Sequence, residues 1–418
     1  MTLKSFIPCH HGPPQPRRIS APVMDNPVVD KPSAPVDPVA LEAALRPFGV
    51  SQTLPAQVYT GRDVFDWELR HLFAGAWACL GRLDEVRAEH SQRALTVGDV
   101  GVLLTFEDGA ARAFANVCRH RGHELLPEGG AAGRAAVVCP YHGWAYRLDG
   151  ALTTATAMRG VAGFDPAGYG LVELPAVVWE GWLFVNATGT APPFADYLGD
   201  LDALLRPYRL PSLRLRARHD YRVAANWKVI VENYQECYHC PLIHPELCRV
   251  SPPTSGDNWD LPGAWVGGSM ELREHAETMS TDGRGAGVFI EGAPRRTVRY
   301  LALFPNLLVS AHPDYVMTHR LWPVEPGLTE IECAWYFPEG ITDPAYAVDF
   351  WDLTNRQDWA ACESVQRGLT SPHFRPGPLA PNESAVYQWT TLIARAYADG
   401  ALRTDLGRAD VGRDGAAR

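Results

Sequence analysis

The sequence predicts an α+β protein in which a small all-β domain precedes a larger domain of mixed strands and helices. Three observations carry this. Residues 77–165 read as short strands separated by frequent Gly turns. After about residue 170, strand-like runs and segments of helical periodicity are mixed, and two helical patterns close the chain. No internal repeat is present, so the order fits one sheet wrapped around helices.

Residues 1–50 are rich in proline, mixed in charge and nearly without periodicity, and read as a disordered or loosely attached leader. Cys9, His10 and His11 lie in it without an assigned role, and Met24 offers a second start. From Arg62 to Ala76 the spacing of Val64, Phe65, Trp67, Leu69, Leu72 and Phe73 predicts an amphipathic helix. ALTVGDVGVLLTF, ARAFANVC and AAVVCPYHGWAYRL then read as strands, and Asp149-Gly150 marks a turn before ALTTA. This first domain is expected to span residues 51–170, and a second one residues 171–405.

In the second domain VVWEGWLFVNA reads as a strand and NWKVIVENYQECYH as a helix. RYLALFPNLLVSAH, YVMTHRLWPV and TEIECAWYFP read as long strands, the last two joined by a Pro-Gly turn. DPAYAVDFWDLTNRQDWAACESVQRG reads as a long helix and NESAVYQWTTLIARAYA as the final one, before a flexible tail over 406–418.

The chain has 418 residues, 46% hydrophobic and 21% charged, a balance that fits globular domains large enough to bury their own cores. A formal net charge of −10 with no basic stripe excludes nucleic acid as the expected partner. No apolar run approaches the roughly 18 residues of a membrane span, and the N-terminus lacks the apolar stretch of a secretory signal. The expected compartment is therefore the reducing cytoplasm. Nine cysteines are too sparse for a disulfide scaffold, and their clustering with histidine points to metal.

Cys118-Arg-His120 and Cys139-Pro-Tyr-His142 form the pattern C-x-H-x₁₈-C-x₂-H. Two thiolates and two imidazoles are the donor set of a Rieske [2Fe–2S] cluster, in which two histidines replace two cysteines on one iron. A Cys₂His₂ zinc site uses the same donors, but zinc sites more often separate the Cys pair from the His pair. His123 is a second imidazole in the first loop. The C-x-H spacing ranks His120 ahead of it.

A second constellation, E-x₂-H-x₄-H, lies in VENYQECYHCPLIHPEL. On a continued helix Glu236 and His239 share a face, and Pro241 should end that helix so that His244 turns back to the same point. Two histidines with one carboxylate make a facial triad, which leaves positions open for O₂ on a non-haem iron. Cys237 and Cys240 beside His239 and His244 leave a zinc alternative. Asp349, Asp352 and Asp358 are the carboxylate candidates. Asp358 is preferred because its apolar neighbours would turn it inward.

With these residues in view, the chain resembles the α subunits of Rieske oxygenases from about residue 55 to 400. Within them it is most similar to the group acting on glycine betaine, carnitine, choline and stachydrine. The resembling segments are VENYQECYHCPLIHPEL, DYVMTHRLWPVEPGLTEIECAWYFP and DWAACESVQRGL. The resemblance implies a Rieske domain followed by a helix-grip (START-like) catalytic domain, assembled as a homotrimer. Cys118, His120, Cys139 and His142 would hold the cluster, and His239, His244 and Asp358 the mononuclear iron. Glu236 would bridge His142 of one subunit to His239 of the next. The gap between His120 and Cys139 is slightly long for the family, and the leader has no counterpart in it.

The activity so implied is oxidative N-demethylation of a small methylated amine, through an N-hydroxymethyl product that collapses to formaldehyde. NADH electrons would arrive through a separate flavin and iron–sulfur reductase, since the chain has no nucleotide fingerprint of its own. A cationic head group would rest on aromatic faces, with Trp259, Trp265, Phe289 and Tyr315 as cage candidates. The competing readings are oxidation of an aromatic or specialised metabolite at the same metals, and an electron-transfer or structural zinc protein without oxygenase activity.

Overall fold

The computed structural model describes residues 32–402. Cys9, His10, His11, Met24 and the expected tail over 406–418 lie outside them.

The segment 32–50, expected as part of a loose leader, is packed. Ala34, Val36, Leu41 and Ala44 are buried in the main core, and the Ala34 amide donates to the carbonyl of Tyr397 at 2.8 Å. Its prolines are compatible with this order. Pro38 opens a short helix, Pro38–Glu42, in the first turn, where no amide partner is needed, and Asp37 caps it by accepting from the Val39 amide at 2.9 Å. The predicted helix at 62–76 forms over Arg62–Glu68 and continues as a wider π turn through Leu69–Phe73.

The all-β domain is built as predicted, from a five-stranded sheet and two three-stranded ones. Gln92–Val97 and Val100–Glu107 pair antiparallel across the Gly98-Asp99 turn, and Ala110–Ala115 extends them. Ala136–Val138, Ala145–Arg147 and Leu152–Thr154 form a meander with Asp149-Gly150 at its second turn. VVWEGWLFVNA is a hairpin, not one strand. Ala176–Trp179 and Trp182–Val185 pair across Glu180-Gly181, where Gly181 adopts a φ of 89°. Trp182–Val185 also pairs with Ala78–Arg82, so this hairpin, beyond the expected boundary at 170, joins a strand of the first domain.

The second domain carries a seven-stranded antiparallel sheet. Its order runs Arg214–Val223, Leu328–Phe337, Val316–Glu325, Leu307–Ala311, Thr297–Leu303, Trp265–Glu271, Asp257–Asn258. The Pro326-Gly327 turn joins the two ten-residue strands as predicted. RYLALFPNLLVSAH is two strands, Thr297–Leu303 and Leu307–Ala311, broken at a cis Phe304–Pro305 bond. Asn306 in that break holds both backbone groups of Cys79, at 2.9 and 3.1 Å, which ties the second sheet to the first domain.

The helices Trp227–Tyr234, Ala345–Leu369 and Ser384–Asp399 contribute to the core with the sheet strands. Lys228 and Glu68 pair at 2.5 Å in its depth, and Glu68 also accepts from the Trp227 indole at 2.8 Å. Such a charge pair is tolerated only because the surrounding donors satisfy the carboxylate.

The helix that carries the second constellation ends at Tyr234, before Glu236. Glu236 and His239 therefore do not share a helical face. Glu236 accepts from the backbone amides of Tyr238 and His239 and so holds a turn. Pro241, expected to end the first helix, instead sits at the start of the next one, Cys240–Ile243. A proline has no amide to donate, which suits a first turn and forbids a helix interior.

Candidate active site

Two matching loops carry the C-x-H and C-x₂-H pairs. The Cys118 amide donates to His123 O at 2.8 Å and the Gly122 amide to Cys118 O at 3.1 Å. In the second loop, Cys139 donates to Trp144 O at 2.8 Å and Gly143 to Cys139 O at 3.1 Å. The same backbone fold is used twice, and each copy needs its left-handed glycine, with φ of 73° at Gly122 and 71° at Gly143. Both cysteines are buried, whereas His120 is exposed and His142 half-buried. The Nδ1 atoms of His120 and His142 stand 3.1 Å apart, the spacing of two ligands on one ion. The Nδ1 of His123 is instead directed at the carbonyl of Glu124.

Two aromatics, given no separate role from the sequence, support these loops. Trp144 stacks on His120 with ring centroids 4.9 Å apart. The buried Tyr146 places its hydroxyl 3.3 Å from Cys118 Sγ and receives the Arg119 amide at 3.1 Å. With the amide donating, the phenolic proton is free for the sulfur. Their signal was their place directly after the second motif.

The second site gathers three side chains. The Nε2 atoms of His239 and His244 are 3.1 Å apart, and Asp358 Oδ1 lies 3.3 Å from the first and 2.8 Å from the second. Ligands about 2.1 Å from one ion and at right angles stand about 3 Å apart, so the three atoms match one face of an octahedron. Each imidazole is held by its other nitrogen. Nδ1 of His239 donates to Glu236, and Nδ1 of His244 donates to Gln357 Oε1 at 2.7 Å, which directs both Nε2 lone pairs inward. Gln357 carried no signal in the sequence beyond adjoining Asp358.

The electrostatics favour a cation. Burial raises the Asp358 carboxyl, but its short contacts with the His239 and His244 rings outweigh it and hold Asp358 below the carboxylate range. Burial lowers His239, but hydrogen bonds with Asp358 and Glu236 prevail and push it up to about 9. Asp352, the rejected candidate, is engaged elsewhere, with Tyr221 at 2.7 Å, His219 at 3.1 Å and Arg356 at 2.8 Å. Helical spacing explains the difference. Trp351, Thr354, Asn355 and Asp358 fall at i, i+3, i+4 and i+7 and line one cavity. The zinc alternative loses its sulfurs, because Cys237 and Cys240 are joined in a disulfide.

That cavity, of about 490 Å³, opens onto His239, His244 and Asp358. Tyr234, Tyr300, Trp351 and Trp359 supply its aromatic wall, Asp257 adds a carboxylate, and among the described residues no Lys or Arg lines it. None of the four expected cage residues does either. Trp265 is in the core and Trp259 donates to Asp257 at 3.1 Å. Phe289 lies under the Arg295 guanidinium, and buried Tyr315 donates to Met279 O.

Comparison with known proteins agrees with this arrangement. Residues 76–165 match the Rieske [2Fe–2S] domain and residues 210–399 the ring hydroxylating alpha subunit catalytic domain. The glycine betaine monooxygenase oxygenase subunit of Pseudomonas aeruginosa is 30% identical over 385 residues, covering 82% of this chain and 89% of that one. The carnitine monooxygenase oxygenase subunit of Acinetobacter baumannii is 37% identical over 344 residues, with 78% and 87% covered. A quaternary ammonium Rieske monooxygenase solved with L-carnitine superimposes with a TM-score of 0.67 at 25% identity, covering 87% of this chain and 99% of that one. Among the described residues no helix is long and apolar enough to cross a membrane. With its cysteine–histidine loops in one matched domain and its His–His–Asp face in the other, the chain belongs to the Rieske non-haem iron oxygenases, as an oxygenase subunit that uses a [2Fe–2S] cluster, a mononuclear iron and a separate reductase.

Proposed function

We propose that this oxygenase removes an N-methyl group from a small quaternary or methylated amine such as glycine betaine. The observation that carries the reading is the cavity at His239, His244 and Asp358, walled by Tyr234, Tyr300, Trp351 and Trp359 and, among the described residues, free of lining Lys or Arg. Aromatic faces attract a methylated ammonium by about 0.5–2 kcal/mol each, and a lining cation would oppose it. The named activities of the relatives point the same way.

In this reading Cys118, His120, Cys139 and His142 hold the cluster, and His239, His244 and Asp358 hold the iron. When bound, the two centres supply single electrons and activation of O₂. The protein's own part is positional. The aromatic wall orients an N-methyl group toward the triad, and Glu236 and Gln357 keep both imidazoles in the metal-binding tautomer. Once the methyl carries a hydroxyl, loss of its proton and rupture of the C–N bond give formaldehyde and the demethylated amine.

The reading extends to a homotrimer in which Glu236 links His239 to His142 of a neighbouring copy. Exposed apolar groups at both ends support it: Tyr141 is 49% exposed beside His142, and Tyr238 and Leu242 are 61% and 90% exposed beside His239. We further place the protein in the cytoplasm with a flavin and iron–sulfur reductase. The test is NADH-dependent O₂ consumption with stoichiometric formaldehyde release from glycine betaine or carnitine. Turnover stimulated only by aromatic compounds would refute the reading in favour of oxidation of an aromatic or specialised metabolite.

A further inference from the structure

The four rings of the cavity wall differ in where an oxidation that strays into them can go. Tyr234 Oη pairs with Ser310 Oγ at 2.9 Å, and Tyr300 Oη has no partner among the described residues. Trp351 donates to Tyr315, whose hydroxyl donates in turn to Met279 O. None of these phenols faces a carboxylate. Trp359 leads elsewhere. It follows Asp358 directly in the helix Ala345–Leu369, lines the cavity, and packs on Tyr221 with ring centroids 5.8 Å apart. Tyr221 is half-buried on the strand Arg214–Val223 and donates from Oη to Asp352 Oδ1 at 2.7 Å. Asp352, Arg356 and Trp359 fall at i, i+4 and i+7, so one stripe of the helix carries carboxylate, guanidinium and indole. The Asp352 side chain is 24% exposed, which lets the acceptor reach solvent.

Indole and phenol are the aromatic side chains that give up an electron most readily. An oxidised indole whose N–H faces no acceptor keeps its proton and its charge, and Trp359 Nε1 has no partner among the described residues. A phenol loses its electron far more easily when its proton leaves at the same time, and a hydrogen-bonded carboxylate can take that proton. The Arg356 guanidinium, 5.9 Å over the Tyr221 ring, disfavours a positive radical and so favours the neutral one. An oxidation arriving at Trp359 therefore comes to rest on Tyr221.

We propose that Trp359 and Tyr221, with Asp352 as proton acceptor, form an escape route that drains oxidising equivalents from the iron site when no substrate consumes them. In each passage one electron moves from Tyr221 through Trp359 to the oxidised iron site, which is reduced by one. The Tyr221 hydroxyl proton moves to Asp352 Oδ1 and leaves a neutral phenoxyl radical. A soluble thiol or ascorbate restores the phenol by giving one hydrogen atom, and Asp352 releases its proton to solvent. The inference rests on iron at His239, His244 and Asp358, and not on which amine is the substrate.

The experiment adds hydrogen peroxide to the iron-loaded enzyme without substrate and freezes the sample for electron paramagnetic resonance. We expect a tyrosyl radical signal that is lost in Tyr221→Phe and in protein stripped of the mononuclear iron. Asp352→Asn keeps a hydrogen-bond acceptor but no base, and should lower the signal by about tenfold or more. Peptide mass spectrometry should show more oxidation of the wall residues Trp359, Met270 and Met317 in Tyr221→Phe than in the parent. Each variant is verified by an intact cluster spectrum and unchanged iron content. Absence of the tyrosyl signal in the parent overturns the proposal, as does a signal that survives Tyr221→Phe or iron removal. An undiminished signal in Asp352→Asn, or equal damage in parent and Tyr221→Phe, overturns it too. If Asp358→Ala keeps its full iron, the placement of the iron has failed; with that placement upheld, a negative result counts against the escape route alone.

Discussion

The Nε2 atoms of His239 and His244 face each other at 3.1 Å because the opposite nitrogen of each ring is already committed, one to Glu236 and the other to Gln357. Two imidazoles with inward lone pairs and one carboxylate at 2.8 Å from the nearer ring make a charged recess that a divalent cation relieves.

Asp358→Ala should remove the mononuclear iron and abolish turnover while leaving the visible absorption of the cluster intact. Iron analysis should fall from three to two per chain. Full activity in the variant would show that Asp358 is not a ligand. Treatment of the parent enzyme with a mild chelator should reproduce the loss, and added Fe(II) should reverse it.

Glu236→Gln preserves size but removes the charge, and its single carbonyl oxygen can serve the His239 ring or the Tyr238 and His239 amides, not both. Both metals should remain, and chemical reduction of the cluster should proceed normally. Turnover should drop about 10–100-fold, the usual cost of altering a group that orients a ligand. Stopped-flow monitoring of cluster reoxidation in the presence of O₂ and substrate locates the defect. An unchanged reoxidation rate would dismiss Glu236 as the electron bridge.

Tyr146 aims its hydroxyl at Cys118 Sγ from 3.3 Å. A hydrogen bond to a cluster ligand is stronger when the cluster holds the extra electron, so it raises the reduction potential. Tyr146→Phe should lower the midpoint by about 40–60 mV, taking one hydrogen bond as about 1 kcal/mol and 59 mV per tenfold for a single electron. Protein-film voltammetry reads this directly. A potential within 10 mV of the parent's, by about the same conversion, would mean that the hydroxyl does not act on the sulfur.

Asp314 is 1% exposed, and burial pushes its carboxyl up to about 6 although Thr278 and Tyr346 both donate to it. Because the folded value is raised, the contribution to stability is fully present below the ordinary value near 3.8 and is lost as pH rises through 6. Moving a carboxyl this far is worth on the order of 3 kcal/mol. Asp314→Asn should therefore gain on the parent protein between pH 4 and 6 and hold a constant advantage above pH 7, in urea unfolding midpoints. A difference independent of pH would contradict the raised value.

Much of the metal chemistry was legible in the chain itself. The two cysteine–histidine pairs are short-range patterns, and a loop closed on its own backbone by a left-handed glycine needs little from the rest of the fold. Asp358 was preferred for the apolar residues beside it, and the helix sets it with Trp351, Thr354 and Asn355 on the cavity, with Asp352 on another face.

What escaped the sequence depended on partners far along the chain. The cage candidates Trp259, Trp265, Phe289 and Tyr315 were aromatic, but Tyr234, Tyr300, Trp351 and Trp359 face the cavity, because sheet pairing and helix docking decide which rings turn inward. The helix over 227–234 stopped early since Glu236 found backbone amides to satisfy and Pro241 could only start a new turn. Residues 32–50 looked disordered because four small or aliphatic side chains give no period, yet each finds a place in the core. Neighbours along the chain carried the cysteine–histidine pairs and the His239–His244 pair; the tertiary structure brought Asp358 to the latter and decided what surrounds both sites, because burial and hydrogen-bond satisfaction are settled between segments and not within them.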